Sequence, residues 1–319
     1  MQPVLSPALS LVIPVYKNEG SIAPLLEAIR GIRNQTGGSF EAVFVIDGSP
    51  DQSYARLREM LPQAGFQSQL LCLSRNFGAF AAIRTGLQHA KGDVIAVMAA
   101  DLQEPPDLIV RFHESLKDGQ HDLAFGVREG RDDPFMSKLA SGMFWSLYRH
   151  FVMSDIPKGG VDIFALSANT RDRLLSLQES NTSLLAQLFW LGGRRAMIPY
   201  KRREREHGRS AWTLSKKLKY LSDSVFSFTD LPVRILMSLG VIALALATAL
   251  TVMILAAKIS GLVAVPGYAG TMVTILFFGA LNSLGLGVVG AYAWRTFENT
   301  KARPLSVLQS MELFEEVDA

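Results

Sequence analysis

Cysteine is almost missing from this chain, since Cys72 is the only one in 319 residues. A single cysteine excludes an intrachain disulfide. Cys72 lies in the apolar run Leu70–Leu73, where we expect it to be a small buried hydrophobe. The first residues, MQPVLSPALS, also lack the basic and long apolar regions of a secretory signal. We therefore expect the polar part of the chain to stay in the cytoplasm.

Charge is missing from two long stretches near the C-terminus. No charged residue occurs between Ile235 and Ala257, and after Lys258 none occurs until Arg295. Crossing the hydrocarbon core of a bilayer takes about 20 apolar residues, so 235–257 and 270–294 are predicted transmembrane helices. The connection between them has one basic residue, whereas both outer flanks are rich in Lys and Arg. The positive-inside rule then places both termini in the cytoplasm.

These observations divide the chain into three parts. Residues 1–225 are predicted to form a cytoplasmic domain that includes amphipathic interface helices, 226–296 a hairpin of two transmembrane helices, and 297–319 a cytoplasmic tail. The protein would then be a multi-pass protein of the inner (cytoplasmic) membrane. Whether the protein forms a homo-oligomer is left open.

No G-x-G-x-x-G follows the first predicted strand, which argues against a dinucleotide-binding Rossmann site. What the first half contains instead is an alternation of short apolar runs and helical periodicity. Strands are predicted at Leu9–Val15, Ala42–Ile46, Gln69–Leu73, Val94–Met98 and Asp122–Val127, and the last one at Ala196–Tyr200. Such an alternation predicts an α/β domain with a parallel sheet covered by helices on both faces.

The most informative stretch is Gly92–Asp107, GDVIAVMAADLQEPPD. A buried strand ends there in Asp101, Gln103 and Glu104, at the position where open α/β sheets bind ligands. Hard oxygen ligands of this type suit Mg²⁺ or Mn²⁺ carrying a diphosphate. An ordinary turn in which Asp caps a helix fits the same residues. Asp47 ends the second predicted strand in the same way, so a nucleotide could use one carboxylate for its base or ribose and the other for metal and phosphate.

Basic residues crowd the stretch before the first apolar span. A collar attracted to anionic lipid and an arginine clamp on a phosphate both fit them. Nucleic acid is the weaker candidate partner, because membrane spans follow directly. The aromatic stretch Met136–Phe151 fits a core-packing helix and a membrane-interface helix equally. The basic residues are Arg194, Arg195, Lys201, Arg202, Arg203, Arg205, Arg209, Lys216, Lys217 and Lys219.

Several stretches together resemble the family-2, GT-A-type polyprenyl-phosphate glycosyltransferases, over nearly the whole chain. The matching pieces are LVIPVYKNEGSI at Leu11, IDGSPD at Ile46, LSRNFG at Leu73, ADLQEPP at Ala100, GVREGRDDP at Gly126, VDIFALS at Val161, RREREHGRSAW at Arg202 and YAWRTFENTKARP at Tyr292. The resemblance implies a GT-A-type, Rossmann-like sheet followed by a transmembrane hairpin. It also implies transfer of a sugar from a UDP- or GDP-linked donor to a polyprenyl phosphate in the bilayer.

The resemblance assigns roles to individual residues. Asp101 and Gln103 would hold Mg²⁺ or Mn²⁺, and the catalytic set would be Asp101, Arg128, Arg131 and Asp162. The residues binding the donor and the acceptor phosphate would be Pro14, Tyr16, Glu19, Asp47, Arg75, Ala100, Asp101, Arg202 and Arg205.

Three motifs depart from the family pattern. Ile46 stands where the family has a first aspartate before Asp47, Ala99 where it has the first aspartate of Asp-x-Asp, and VDIF where it has Gly-Asp-Phe-Arg. Two alternatives therefore remain beside the polyprenyl-phosphate enzyme. One is a membrane glycosyltransferase with another lipid or a glycan as acceptor, and the other is a catalytically dead membrane scaffold.

Overall fold

The computed structural model describes most of the chain, in several segments. These are residues 7–37, 39–129, 142, 146, 148–150, 152–157, 161, 163–180, 182–202, 214–260 and 267–316. The strands are β1 Leu9–Val15, β2 Phe40–Ile46, β3 Gln67–Leu73, β4 Val94–Val97, β5 Leu123–Arg128, β6 Phe164–Ser167, β7 Arg195–Tyr200 and β8 Leu308–Phe314. The helices are α1 Ile22–Thr36, α2 Ser53–Met60, α3 Ala79–His89, α4 Asp107–Leu116, α5 Ala168–Ser176, α6 Leu184–Trp190, α7 Leu214–Phe228, α8 Leu231–Ile259 and α9 Tyr268–Thr300.

The eight strands form one sheet in the order β7-β5-β6-β4-β1-β2-β3-β8. Strands β1 to β4 run parallel to one another, β6 runs antiparallel to β4 and β5, and β7 is parallel to β5. The carboxyl ends of β1, β2, β3, β4, β5 and β7 therefore meet at one edge of the sheet, which we call the carboxyl edge.

The core lies on both faces of the sheet because the side chains of each buried strand alternate between the faces. In β2, Phe44 faces a cluster that contains residues of α1, α2 and α4, whereas Val43 and Val45 face a second cluster built from α3, α5 and α6. All seven residues of β2 are buried, as expected for a strand covered on both sides. The predicted α/β domain with helices on both faces is confirmed.

Two predictions about the sheet are wrong. The sheet is mixed, because β6 and β8 run antiparallel to their neighbours. Ala196–Tyr200 lies within β7, but β7 is not the last strand, since β8 follows α9 and pairs with β3. The chain reaches β8 at the carboxyl edge, where Leu308 pairs with Leu73, so it can only run antiparallel to β3. The predicted tail 297–319 thus contributes a strand to the domain.

Two long apolar helices, α8 and α9, follow the sheet at the places where spans are predicted. Many of their apolar side chains are exposed, among them Val241, Val252, Ile275 and Leu286. Within the described residues, one helix, Phe277–Thr300, is long and apolar enough to cross a membrane. A second candidate is the bent pair Tyr220–Phe228 and Leu231–Ala243, whose axes meet at 75°. The transmembrane hairpin itself therefore stays a prediction.

Helix α7 links the long helices to the sheet domain. Arg295 of α9 donates to Asp223 at 2.7 Å, and its guanidinium lies 5.0 Å from the Phe226 ring centroid. On the domain side, the Tyr220 ring stacks on Tyr148 with centroids 5.8 Å apart. Most of Met136–Phe151 lies outside the described residues, but Tyr148 is buried in the core.

Candidate active site

The site lies at the carboxyl edge, where the order of the strands reverses. Strand β1 is flanked by β2 on one side and β4 on the other. The chain passes from β1 through α1 to β2, whereas from β4 it passes through α4 toward β5 in the other half of the sheet, so the ends of β1 and β4 lie at a switch point of the kind where open α/β sheets leave a crevice. The polar residues predicted from the sequence follow these strand ends.

The turn after β4 has an unusual backbone. Leu102 adopts a φ of +55°, a conformation that is costly for a branched side chain. Leu102 nevertheless packs against the core, and its backbone places Asp101 and Gln103 on either side of it. The backbone amide of Gln103 donates to Asp101 Oδ1 at 3.3 Å. The turn therefore presents a carboxylate and a side-chain amide together.

Arg202 joins this turn from the end of β7. Its Nη2 donates to Gln103 Oε1 at 2.6 Å, and its Nε lies 3.9 Å from the carboxylate of Glu104. Glu104 is 3% exposed, so its charge is held inside and attracts the guanidinium strongly. Arg128, the last residue of β5, is half-buried at the same edge. One carboxylate turn and two arginines thus share the crevice.

Asp47 ends β2 but is not open to solvent. Its Oδ1 accepts from the Phe77 amide at 2.7 Å, its Oδ2 accepts from the Gly78 amide at 2.9 Å, and the residue is 3% exposed. Burial raises the pKa of Asp47, and the two amides and the nearby Arg75 only partly oppose this shift. Asp47 therefore fastens the end of β2 to the loop after β3, which extends from Ser74 to Gly78 and which we call the donor loop.

The donor loop lies directly against Gly48. A Cβ added to Gly48 would come within 2.3 Å of the Arg75 carbonyl carbon and 2.4 Å of the Asn76 nitrogen. Gly48 also has a φ of +57°, which glycine adopts at little cost. In this packed loop, Arg75 stacks its guanidinium 3.9 Å from the Phe77 ring centroid. A planar cation is thereby displayed at the carboxyl edge.

The loop after β1 is joined to the loop after β2. Lys17, with a φ of +57°, donates its amide to Ser49 Oγ at 2.7 Å, and the Glu19 amide donates to Asp51 Oδ2 at 3.1 Å. Burial alone would raise the pKa of Asp51, but hydrogen bonds from Ser49, Ser53 and the Glu19 amide outweigh it and lower the pKa. Glu19 also accepts from the Gln52 amide at 2.9 Å. These contacts leave Tyr16 37% exposed beside the crevice.

Residues 10–169 match the family described as Glycosyl transferase family 2. The chain belongs to glycosyl transferase family 2. Two relatives carry more specific names. An undecaprenyl-phosphate 4-deoxy-4-formamido-L-arabinose transferase of Edwardsiella ictaluri is 31% identical, over 95% of this chain and 93% of its own. A prophage bactoprenol glucosyl transferase homolog of Escherichia coli is 29% identical, over 95% of this chain and 99% of its own.

Among solved structures, the mannosyltransferase PcManGT from Pyrobaculum calidifontis, in complex with GDP-Man and Mn²⁺, is similar. It has 17% identity and a TM-score of 0.44, and the match covers 90% of this chain and 88% of that one. The family resemblance noted from the motifs is confirmed by the family match and the named relatives, and this chain is a glycosyltransferase.

The site residues predicted for this family 2 glycosyltransferase fall into four groups. Asp101, Gln103, Arg128 and Arg202 lie at the strand ends on the β4 side of the crevice, and Tyr16, Glu19, Asp47 and Arg75 follow β1, β2 and β3. Pro14 is within β1, and Ala100 is buried at 3% exposure. Arg131, Asp162 and Arg205 lie outside the described residues.

Two residues of the predicted basic collar lie apart from Arg202. Arg194 and Arg195 lie at the start of β7, at the edge of the sheet opposite to Arg202. Arg194 grips Asp122 with two side-chain bonds of 3.1 and 3.0 Å, which lowers the pKa of that carboxyl. Arg195 donates to the Phe189 carbonyl and lies 5.0 Å from the centroid of its ring. Both arginines tie the start of β7 to neighbouring residues.

The residues present fit a divalent cation that arrives with the donor. Mg²⁺ in phosphate-transfer sites is commonly held by one or two carboxylates plus substrate phosphates and water. Asp101 and Gln103 supply two oxygens, and no group of three His, Cys, Asp or Glu residues forms a metal site in the described segments. The guanidinium of Arg202 beside Gln103 offsets part of the negative charge of the turn, which weakens the attraction of a bare cation until a diphosphate brings more negative charge.

Sequence reasoning missed three features of this site. Lys17 and Leu102 have left-handed backbones, which no residue type at those positions signals. The contact between Gly48 and the donor loop joins two strand ends that lie far apart in sequence. An Asp-Gly pair such as 47–48 is typical of a turn. Only the position of the loop after β3 shows why residue 48 has no room for a side chain.

Proposed function

We propose that this glycosyltransferase transfers a sugar from a UDP- or GDP-linked donor to a polyprenyl phosphate, such as undecaprenyl or dolichyl phosphate. The observation that carries the proposal is the shared carboxyl edge, where the Asp101–Gln103 turn, Arg128 and Arg202 come together. The names of the two relatives support the same acceptor class. The product would be a lipid-linked sugar for cell-envelope glycan synthesis or modification.

The acceptor needs little activation in this reaction. A phosphate monoester has a second pKa near about 6, so much of it is dianionic at neutral pH. One of its oxygens attacks the anomeric carbon while the bond to the donor diphosphate breaks, and the electron pair leaves with the diphosphate. A single displacement of this kind inverts the anomeric centre. No strong general base is required from the protein.

The protein mainly has to hold and neutralise phosphates. Arg202 and Arg128, with Arg131 and Arg205, would bind the donor and acceptor phosphates, for which the planar guanidinium is suited. Asp101 and Gln103 would hold Mg²⁺ or Mn²⁺, which stabilises negative charge on the leaving diphosphate. Tyr16, Glu19 and Arg75 would line the nucleoside side of the crevice. Asp162 would belong to the catalytic set.

The membrane arrangement belongs to the same proposal. Helices α8 and α9 would cross the inner membrane as a hairpin, and the sheet domain and both termini would lie in the cytoplasm. The interface helix α7, tied to α9 through Asp223 and Arg295, would hold the carboxyl edge near the headgroups. A lipid phosphate at the surface of the bilayer would then meet the crevice without leaving the membrane.

The test is a transfer assay with the full-length protein in nanodiscs containing undecaprenyl phosphate. A panel of UDP- and GDP-sugars is supplied with Mg²⁺ or Mn²⁺, and glycolipid is identified by mass. We expect one donor to yield a glycosylated undecaprenyl phosphate. Transfer only to another lipid or to a glycan would replace the acceptor, and nucleotide binding without any transfer would favour a scaffold.

A further inference from the structure

The chain that returns from α9 to the sheet passes beside the donor loop. We call residues 301–307 the return segment. The Ser74 amide, at the start of the donor loop, donates to the Val307 carbonyl at 3.0 Å. The Ser306 hydroxyl lies 2.6 Å from the hydroxyl of Thr85, which belongs to α3, the helix that follows the loop.

The direction of the hydroxyl contact follows from the single hydrogen that each hydroxyl carries. Thr85 Oγ1 donates to the Ala81 carbonyl at 3.0 Å, so its hydrogen is already used. Ser306 is therefore the donor in the contact with Thr85. Thr85 is 3% exposed, so water does not easily replace this bond. Two consecutive residues of the return segment thus bond to the start of the donor loop and to the helix that follows it.

A movement of the donor loop would change the hydrogen bonds of Asp47 directly. The amides of Phe77 and Gly78 are the hydrogen-bond donors to its carboxylate, and the Asn76 side chain donates to its carbonyl at 3.1 Å. A shift of the loop would remove amide donors from a buried carboxylate, which is costly. The position of Arg75, in the same loop, depends on the same contacts.

The other end of the return segment is fixed to α9. Asn299, in the last turn of α9, accepts from the Ser180 amide at 3.0 Å, and Arg295 is bonded to Asp223. The path from the second long helix to the donor loop is therefore short and bonded at each end.

We propose that the return segment is a positioning element for the donor site, with Ser306 as its principal side chain. This inference rests on the proposed function, since it assigns the donor loop to nucleotide binding. It makes the donor affinity of the cytoplasmic domain depend on where α9 sits in the membrane. Ser306 acts through the loop and touches no reacting atom.

The test compares Ser306→Ala with Glu312→Gln in the full-length protein in nanodiscs. Glu312 bonds β8 to Tyr54 at 2.5 Å and Arg58 at 2.9 Å on the α2 side, so its exchange loosens β8 without touching the donor loop. Hydrogen exchange at the Phe77 and Gly78 amides and the Kd of UDP and GDP by calorimetry are measured. We expect Ser306→Ala to speed exchange at both amides and to weaken nucleotide binding about fivefold, the effect of one lost hydrogen bond.

We expect the Glu312→Gln protein to keep both properties, although its melting temperature falls. Unchanged exchange at Phe77 and Gly78 in Ser306→Ala would overturn the inference, and so would equal effects of the two variants. The exchange measurement needs no nucleotide. If the wild-type protein binds neither UDP nor GDP, the proposed donor class fails, whereas unchanged exchange in a protein that does bind them overturns only the role of Ser306.

Discussion

In the turn after β4, Asp101 is the carboxylate that is partly exposed, since Glu104 is 3% exposed and Ala99 brings no further carboxylate. Its neighbour Gln103 contributes an amide oxygen that already accepts from Arg202. An amide oxygen has two lone pairs, so it can accept from Arg202 and face a cation at the same time. The chemistry of the site therefore depends on very few oxygens, and each should be sensitive to exchange.

We expect Asp101→Asn to lower turnover by at least about 100-fold, because stabilisation of the leaving diphosphate is lost. The exchange preserves size and leaves the melting temperature near that of the wild type, since Asp101 is only half-buried. Turnover is measured by glycolipid mass and stability by thermal unfolding. Retained turnover, or a variant that unfolds, would show that Asp101 is a structural turn residue.

Arg202→Lys tests whether the guanidinium is needed or only its charge. The bond to Gln103 and the approach to Glu104 use two different nitrogens of Arg202, which lysine cannot reproduce. We expect turnover to fall about tenfold or more, as for a lost charge-assisted hydrogen bond, with membrane attachment unchanged.

Arg194→Lys is the matched control for that exchange. It also replaces a guanidinium that grips a carboxylate, but at the opposite edge of the sheet. We expect a lower melting temperature and nearly unchanged turnover per folded molecule. Equal losses of turnover at Arg194 and Arg202 would remove the case for a phosphate clamp at Arg202.

At the scale of elements, the carboxyl edge is held together by hydrogen bonds between neighbouring loops. The loop after β1 is fastened to the loop after β2 through Asp51, and the end of β2 to the donor loop through Asp47. Both carboxylates accept backbone amides from a neighbouring loop. The loops after β1, β2 and β3 therefore form one hydrogen-bonded frame at the carboxyl edge.

Gly48→Ala should disrupt that frame. The added methyl would meet the backbone of Arg75 at 2.3 Å, and backbone atoms cannot move aside as a side-chain tip can. Gly65→Ala is the matched control, because Gly65 also has a positive φ, of +71°, but has no atom within 4 Å of its added Cβ. We expect Gly65→Ala to lower the free energy of unfolding by about 1 kcal/mol through backbone strain alone, and Gly48→Ala by clearly more.

Denaturant unfolding measures the two glycine variants side by side. The Gly48→Ala protein should also bind UDP or GDP more weakly, since the donor loop must shift. If the two variants lose the same stability, the contact between Gly48 and the donor loop contributes nothing beyond strain.

Local patterns predicted the buried elements of the fold well, and for a physical reason. Strand β1 was predicted with its observed bounds because a buried parallel strand is apolar along its whole length. Strand β8, LQSMELF, has a mixed pattern and exposed residues, and only its pairing with β3 makes it a strand. Likewise, the sequence indicated Asp47 as a ligand or a cap. Its bonds to Phe77 and Gly78 require knowledge of which strand lies next to β2.

At the scale of the whole molecule, β8 constrains how the chain can cross a membrane. Strand β8 belongs to the same sheet as β1 to β7, so the chain before α8 and the chain after α9 lie on one side of any bilayer. The number of crossings between them must therefore be even. A single span made by α9 alone is excluded by this parity, although Phe277–Thr300 is the one unbent helix of the described segments that passes on length and composition.

If α9 crosses, α8 must cross as well. Its 29 residues would extend about 43 Å at 1.5 Å per residue, more than the hydrocarbon core requires.

We expect a cysteine placed at Ser260, at the end of α8, to react with a membrane-impermeant maleimide from the periplasmic side. A cysteine at Gln309, in β8, should react only after the membrane is opened. Cys72→Ser provides the background, since Cys72 is the only other thiol. Labelling of both positions from the same side would mean that the chain does not cross the membrane and that α8 and α9 lie along its surface. The acceptor would then have to reach the crevice from a membrane that the chain does not span.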